Sequence, residues 1–179
     1  HAAMPHGTID PVVIGSQLVG ALQTIASRNT YPVESLVVSV TKFHAGDAYN
    51  VIPETAELAG TVRTLKKEVA KSAEQRLRDV CAGIAATFGA EIVLDYDANY
   101  PVTFNHAEET AFAGDVAASI AGEGHVYRNM PPLMGGEDFS YMLEARPGAF
   151  IFIGNGDSAG LHHPAYDFND EAIAHGISY

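Results

Sequence analysis

The order of hydrophobic periodicities in the first 100 residues constrains the fold more than any other feature of this chain. A helix pattern at residues 10–29 is followed by strand patterns at 35–46 and 56–65, a helix pattern at 66–89 and a strand pattern at 90–100. Asp10 followed by Pro11 is typical of a helix start, and Gly89 is typical of a helix end.

Helix, strand, strand, helix and strand in this order form a split β-α-β, ferredoxin-like unit that lacks only its opening strand. Such a unit is an antiparallel sheet with two helices on one face. We therefore expect the strands at 35–46 and 56–65 to pair with each other. We also expect the chain to begin just after a missing first strand, which leaves His1 at the start of the unit.

A different pattern follows Pro101. It contains a helix at 106–122, a glycine turn and short helix at 130–145, an apolar buried strand at 147–156, a polar loop at 156–170 and the start of a helix at 170–179. Short helices around an apolar strand are typical of α/β domains, in which the loop after the strand carries ligand-type side chains. We predict two domains, residues 1–98 and residues 99–179, of which the second is too small to stand alone.

Composition excludes several classes of function. The chain has 10 Lys and Arg against 22 Asp and Glu, and a formal net charge of −12 would repel a phosphate backbone, so we expect no nucleic-acid partner. No apolar stretch reaches the length of a membrane span, so we expect no membrane partner and take a cytoplasmic location as the default. The single cysteine, Cys81, cannot form an intramolecular disulfide and is expected in the core.

Two clusters in the second half carry side chains suited to chemistry. Glu137 and Asp138 follow two glycines, so their carboxylates could bind a metal or transfer a proton, or Asp138 could simply cap the next helix. His162 and His163 are in the loop after the apolar strand, where a neutral imidazole is a good metal ligand and a surface pair is the alternative. Adjacent side chains diverge, so we expect only one of them to face a shared site.

The opening HAAMPH is the third cluster. His1 and His6 are five positions apart and cannot share a helical face, so a loop that presents one imidazole outward is more natural. Asp47, Asn50 and Arg63 are further candidates, although Asp and Asn are also common turn residues. A strand arginine is more often a solvated surface residue, but its planar guanidinium would suit a substrate carboxylate.

Five motifs together closely resemble a family of metal-dependent amidohydrolases, the aminoacylase-like metallopeptidases, which contains hippurate hydrolases, N-acyl-amino-acid deacylases and auxin-conjugate hydrolases. In chain order they are HAAMPHGTIDPV, GDAYNVIPETAELAGTVRT, MGGEDFSYML, PGAFIFIGNG and LHHPAYDFNDEA. Their collinear order across nearly the whole chain makes the resemblance specific to the family. It implies a catalytic α/β domain with two divalent metals and a smaller lid domain that also forms the dimer surface.

On this resemblance, residues 1–98 are the lid and dimerisation domain without its first strand, and residues 99–179 are the C-terminal part of the catalytic domain. The upstream half of the family pattern, which holds most of the metal ligands, is expected to be absent. Cys81 does not match the family's metal-site cysteine. The resemblance therefore implies that this fragment alone is inactive.

The resemblance also implies roles for individual residues. His162 looks like the metal ligand from the C-terminal segment, and the histidine after it is less suited to that role. Glu137 matches a position at the wall of the active site that contacts substrate. His1 looks like the lid histidine that reaches into the partner subunit's active site and polarises the scissile carbonyl. Asn50 and Arg63 match lid positions that contact the substrate's carboxylate end.

The implied reaction is hydrolysis of the amide bond of a small N-acyl amino acid by a metal-activated water, in a homodimer or higher homo-oligomer. Zinc, manganese, cobalt and nickel all suit imidazole and carboxylate ligands, and the motifs specify neither the metal nor the acyl group. Two alternatives belong to other classes. The chain could be a non-catalytic lid and dimerisation module that binds a partner or peptide, or an unrelated α+β enzyme with a His/Glu site of its own.

Overall fold

The computed structural model describes every residue from His1 to Tyr179 and contains two compact units. The first unit comprises His1–Val102 and Met134–Gly136, and the second comprises Thr103–Leu133 and Glu137–Tyr179. The chain is a mixed α/β protein, as predicted. Its helices and strands are α1 (Pro11–Thr24), β1 (Leu36–Ala45), β2 (Ala56–Thr64), α2 (Lys67–Phe88), α3 (Ala107–Ala121), α4 (Phe139–Ala145) and α5 (Glu171–Ser178).

The start of α1 is fixed by its cap. Asp10 Oδ1 accepts hydrogen bonds from the backbone N–H groups of Val12 and Val13, at 2.9 and 3.3 Å, and thereby satisfies donors that have no partner within the helix. The predicted helix start is confirmed. A π-helical turn, Ile25–Asn29, continues α1 and buries the Ile25 side chain almost completely.

The two strands form an antiparallel hairpin, as predicted, in which Val37 is opposite Arg63. The register shifts between Val40 and Lys42, so Thr41 is an extra residue and β1 contains a bulge. Because side chains alternate along a strand, one extra residue reverses the face to which the following side chains point.

The effect of the bulge is visible in what β1 packs against. Val38, before the bulge, is buried in the core of the first unit. Phe43, after it, lies under α1, where an ideal Cβ built on Gly15 would be 2.6 Å from Phe43 Cζ. The bulge therefore lets residues on both sides of it face the helices.

The core of the first unit lies between the hairpin and the two long helices. Its buried members are Leu18, Leu22, Ile25, Val38, Ala73, Leu77 and Cys81. The predicted core position of Cys81 is confirmed, and burial raises the pKa of its thiol.

Gly89 ends α2 as predicted. It has a left-handed conformation with φ of 64°, and its N–H donates a hydrogen bond to the carbonyl of Ala85.

The prediction of a third strand at residues 90–100 is wrong. No residue of this segment belongs to the sheet, which has two strands only. The predicted alternation is nevertheless present, because Ile92, Leu94 and Tyr96 pack against the core while the residues between them are exposed. In a split β-α-β unit the last strand pairs with the opening strand, and this chain has no strand before α1. The segment thus buries its apolar face without a backbone partner.

The second unit contains the predicted helices α3, α4 and α5, but the predicted buried strand at 147–156 is also wrong. Phe152 and Ile153 are exposed, and the segment has no neighbouring strand. The side chain of Asn105 takes the place of one: its Nδ2 donates to Phe150 O and its Oδ1 accepts from Phe150 N–H, both at 2.8 Å. His106 N–H donates to Gly148 O at 3.0 Å.

None of the chain's helices is long and apolar enough to cross a membrane.

Candidate functional site

His1 belongs to a tight loop at the edge of the first unit. Its Nδ1 accepts a hydrogen bond from Ala3 N–H at 3.1 Å, and its carbonyl accepts one from Met4 N–H at 2.8 Å. A neutral imidazole that accepts at Nδ1 carries its proton on Nε2. The ring is exposed. The loop therefore presents an Nε2–H donor outward.

Asn50 lies next to this loop. Its backbone carbonyl accepts a hydrogen bond from Ala2 N–H at 3.0 Å, which joins the connection between β1 and β2 to the opening residues. The Asn50 side chain is exposed and makes no hydrogen bond within the chain. Two of the residues singled out in the sequence, His1 and Asn50, are thus brought to adjacent loops of one unit.

Arg63 lies near the end of β2 and is half-buried. Its guanidinium makes no hydrogen bond or ion pair within the chain. The glycine pair of the MGGEDF motif passes close to it, because an ideal Cβ on Gly136 would lie 3.6 Å from Arg63 Cζ. A half-buried guanidinium without a protein partner can accept a carboxylate in a bidentate pair.

Glu137 lies just before α4 and is half-buried. Its backbone carbonyl accepts hydrogen bonds from the N–H and the hydroxyl of Ser140, and the Ser140 side chain is fully buried. The Glu137 carboxylate makes no hydrogen bond within the chain. Asp138 is the N-cap residue of α4, as the alternative prediction has it, but its side chain accepts no capping hydrogen bond.

His162 and His163 have different surroundings although they are adjacent. His162 has φ of 66° and is the one residue other than glycine with a positive φ. Its imidazole is exposed and makes no hydrogen bond. The His163 ring, in contrast, is engaged, because its Nδ1 accepts from Ala165 N–H at 3.1 Å. This hydrogen bond was not predicted from the sequence. The His163-Pro164 pair could have indicated it, because a proline after the first residue is typical of a turn.

The His162 imidazole has the chemistry of a single metal ligand, but the chain forms no complete metal site. An unengaged imidazole on an exposed loop, that of His162, can bind zinc or a similar ion. No group of three or more His, Cys, Asp or Glu side chains in the chain could hold a metal ion. Cys81 does not contribute, because it is buried and its pKa is raised. A metal centre that included His162 would need its other ligands from elsewhere.

A family profile described as peptidase family M20/M25/M40 matches residues 3–179. The chain belongs to this family, which confirms the resemblance. It is 38% identical to hippurate hydrolase of Campylobacter jejuni, over 100% of the chain and 47% of that protein. It is 36% identical to N-acetylcysteine deacetylase of Bacillus subtilis, over 100% of the chain and 46% of that protein.

A solved structure of the same family has a similar fold. The YXEP protein of Bacillus subtilis, titled a dinuclear metal binding peptidase from the M20 family, matches with a TM-score of 0.69 and 33% identity, over 97% of this chain and 45% of that one. The chain thus spans about half the length of the relatives that it matches.

Proposed function

We propose that this chain is part of a metal-dependent amidohydrolase that cleaves small N-acyl amino acids. The observation that carries the proposal is the match to hippurate hydrolase over the full length of the chain. The unengaged guanidinium of Arg63 supports it, because an N-acyl amino acid offers one free carboxylate. We propose residues 1–98 as lid and dimerisation domain and residues 99–179 as the C-terminal part of the catalytic domain.

In this proposal Arg63 and Asn50 hold the substrate carboxylate, Arg63 through paired N–H groups and Asn50 through its side-chain amide. His162 provides one ligand to the metal centre. When bound, the metals lower the pKa of a water molecule and polarise the amide carbonyl. Zinc, manganese, cobalt and nickel are all compatible with an imidazole ligand, and a pair of ions is expected from the dinuclear description of the solved relative.

His1 acts on the carbonyl oxygen. Its Nε2–H donor is free because Ala3 occupies Nδ1, so the ring can donate to the oxygen as negative charge develops on it. We propose that His1 does so in the active site of a second subunit, which makes the working protein a homodimer or higher homo-oligomer. Glu137 lines the substrate pocket, its carboxylate unengaged by other side chains. We further propose that the enzyme acts in the cytoplasm.

The test uses the full-length gene product, with divalent-metal content measured by plasma mass spectrometry and hydrolysis of hippurate measured by amine release. We expect His162→Ala to lose bound metal and activity, and its matched control, His175→Ala on α5, to lose neither. We expect His1→Ala to reduce kcat about 100-fold with unchanged metal content, as for loss of one oxyanion donor, and His6→Ala in the same loop to have no such effect.

The same measurements separate the alternatives. A non-catalytic lid and dimerisation module would contain no metal and would not hydrolyse amides. An unrelated His/Glu enzyme would keep its activity in His162→Ala and in the presence of a chelator. Residues 1–179 alone are expected to bind no metal pair and to show no turnover, since the chain holds no cluster of three ligand-type side chains. Robust turnover by this chain alone would contradict the proposal.

A further inference from the structure

The loop that carries the two adjacent histidines consists of two turns in succession. His163 N–H donates to Gly160 O at 3.1 Å and closes the first turn. Tyr166 N–H donates to His163 O at 2.9 Å and closes the second, with Pro164 in the position that proline favours. His163 is therefore the last residue of one turn and the first residue of the next.

His162 occupies the third position of the first turn. Its φ of 66° lies in the left-handed region, which few residues other than glycine adopt, although asparagine, aspartate and histidine occur there more often than other residues do. Residues persist in such conformations only when the surrounding hydrogen bonds hold them there. The loop thus holds the His162 backbone in a disfavoured conformation, and the direction of its imidazole depends on the turns that flank it.

The ring of His163 completes the second turn. Its Nδ1 accepts from the N–H of Ala165, two residues further along, at 3.1 Å. Asn, Asp and Ser side chains make the same contact in turns. The contact occupies Nδ1 and leaves the proton of the neutral ring on Nε2, so no lone pair of His163 remains for a metal in this tautomer.

We propose that His163 is a positioning residue for His162. Its imidazole closes the second turn on Ala165, and the closed turn fixes the junction from which His162 is presented to a metal ion. The inference rests on the proposed function, in which His162 is the metal ligand. Residues that orient a ligand commonly affect metal affinity about 10- to 100-fold.

The test compares His163→Asn with His163→Ala in the full-length protein. Asparagine keeps an acceptor that can reach the N–H of Ala165, whereas alanine has none. We expect His163→Ala to weaken zinc binding about 10- to 100-fold, measured by competition with a chromophoric chelator. His163→Asn is expected to stay within about threefold of the unmodified protein, and the melting temperature of the metal-free protein is expected to change little in either variant.

Other results would contradict either the ligand assignment of His162 or the positioning role of His163. If His162→Ala retains its metal, the ligand assignment in the proposed function is wrong. If His162→Ala loses metal but His163→Ala binds zinc like the unmodified protein, only the positioning role is wrong. If His163→Asn binds zinc as weakly as His163→Ala, the hydrogen bond to Ala165 N–H does not account for the zinc affinity, and the positioning role is wrong. If His163→Ala does not fold, His163→Asn alone decides, because a loss beyond about tenfold overturns the proposal.

Discussion

A close backbone approach at Gly60 provides a sharp test of the hairpin. Gly60 of β2 is opposite Val40, at the bulge of β1. An ideal Cβ on Gly60 would clash with the carbonyl oxygen of Ser39 and would lie 3.0 Å from the Cα of Val40. Both atoms belong to the backbone, so no flexible side chain can move aside. Gly60→Ala must therefore push the two strands apart.

The cost follows from what the strands would lose. Overpacking a well-packed site costs about 1–3 kcal/mol, and a backbone hydrogen bond lost beside the bulge adds roughly 1 kcal/mol. We expect Gly60→Ala to destabilise the hairpin by about 3 kcal/mol, which corresponds to roughly 100-fold faster hydrogen exchange at the paired amides of β1 and β2. Native-state hydrogen exchange followed by mass spectrometry measures this directly.

Gly83 on α2 is the matched control. It is exposed in a helix interior, and an ideal Cβ there would have no atom within 4 Å. Gly83→Ala is expected to stabilise α2 by roughly 0.8–1 kcal/mol, because alanine loses less backbone entropy than glycine. The two identical substitutions should therefore act in opposite directions. Unchanged exchange of β1 and β2 in Gly60→Ala would refute the close approach, and so would protection that increases in both variants.

Three further predictions test other parts of the chain. Burial raises the pKa of Cys81, so alkylation of its thiol at pH 8 should be at least about tenfold slower in the native protein than in urea. Because the native state keeps the thiol proton to higher pH than the unfolded state does, the free energy of unfolding should fall as the pH rises above the ordinary thiol pKa. Asn105→Ala should lower stability by about 2–3 kcal/mol, measured by thermal unfolding, because two backbone groups of Phe150 lose their partners. Arg63→Gln should raise KM for hippurate about 10- to 100-fold with a smaller change in kcat, and a larger loss in kcat would contradict a carboxylate-binding role.

Features that depend on neighbouring residues were predictable from the sequence. The start of α1 needs only Asp10 and the N–H groups of the next turn, and the end of α2 needs only a glycine at position 89. The pairing of β1 with β2 joins segments close in the chain. Each of these follows from local chemistry, so the residue types alone were sufficient.

The two wrong strand predictions have a common cause. Residues 90–100 and 147–156 have the apolar composition of strands, but a strand also needs a neighbour for its backbone hydrogen bonds. The first segment packs its side chains on the core without such a neighbour, and the second receives the side chain of Asn105 in its place. Composition indicates that a segment is extended and apolar, whereas its partner is a non-local property.

The two histidines of the LHHP motif show where the sequence stops being informative about a site. Divergence of adjacent side chains implied that only one of them binds, but it could not say how the other one is used. In the structure the difference lies in one hydrogen bond, because Nδ1 of His163 is engaged by Ala165 while His162 has no partner. Under the proposed positioning role, a residue at position 163 needs an acceptor that reaches the N–H two residues further along, and it does not need an imidazole. Asn, Asp and Ser meet this requirement, so each should preserve metal affinity at position 163, while Leu, of similar bulk without an acceptor, should not.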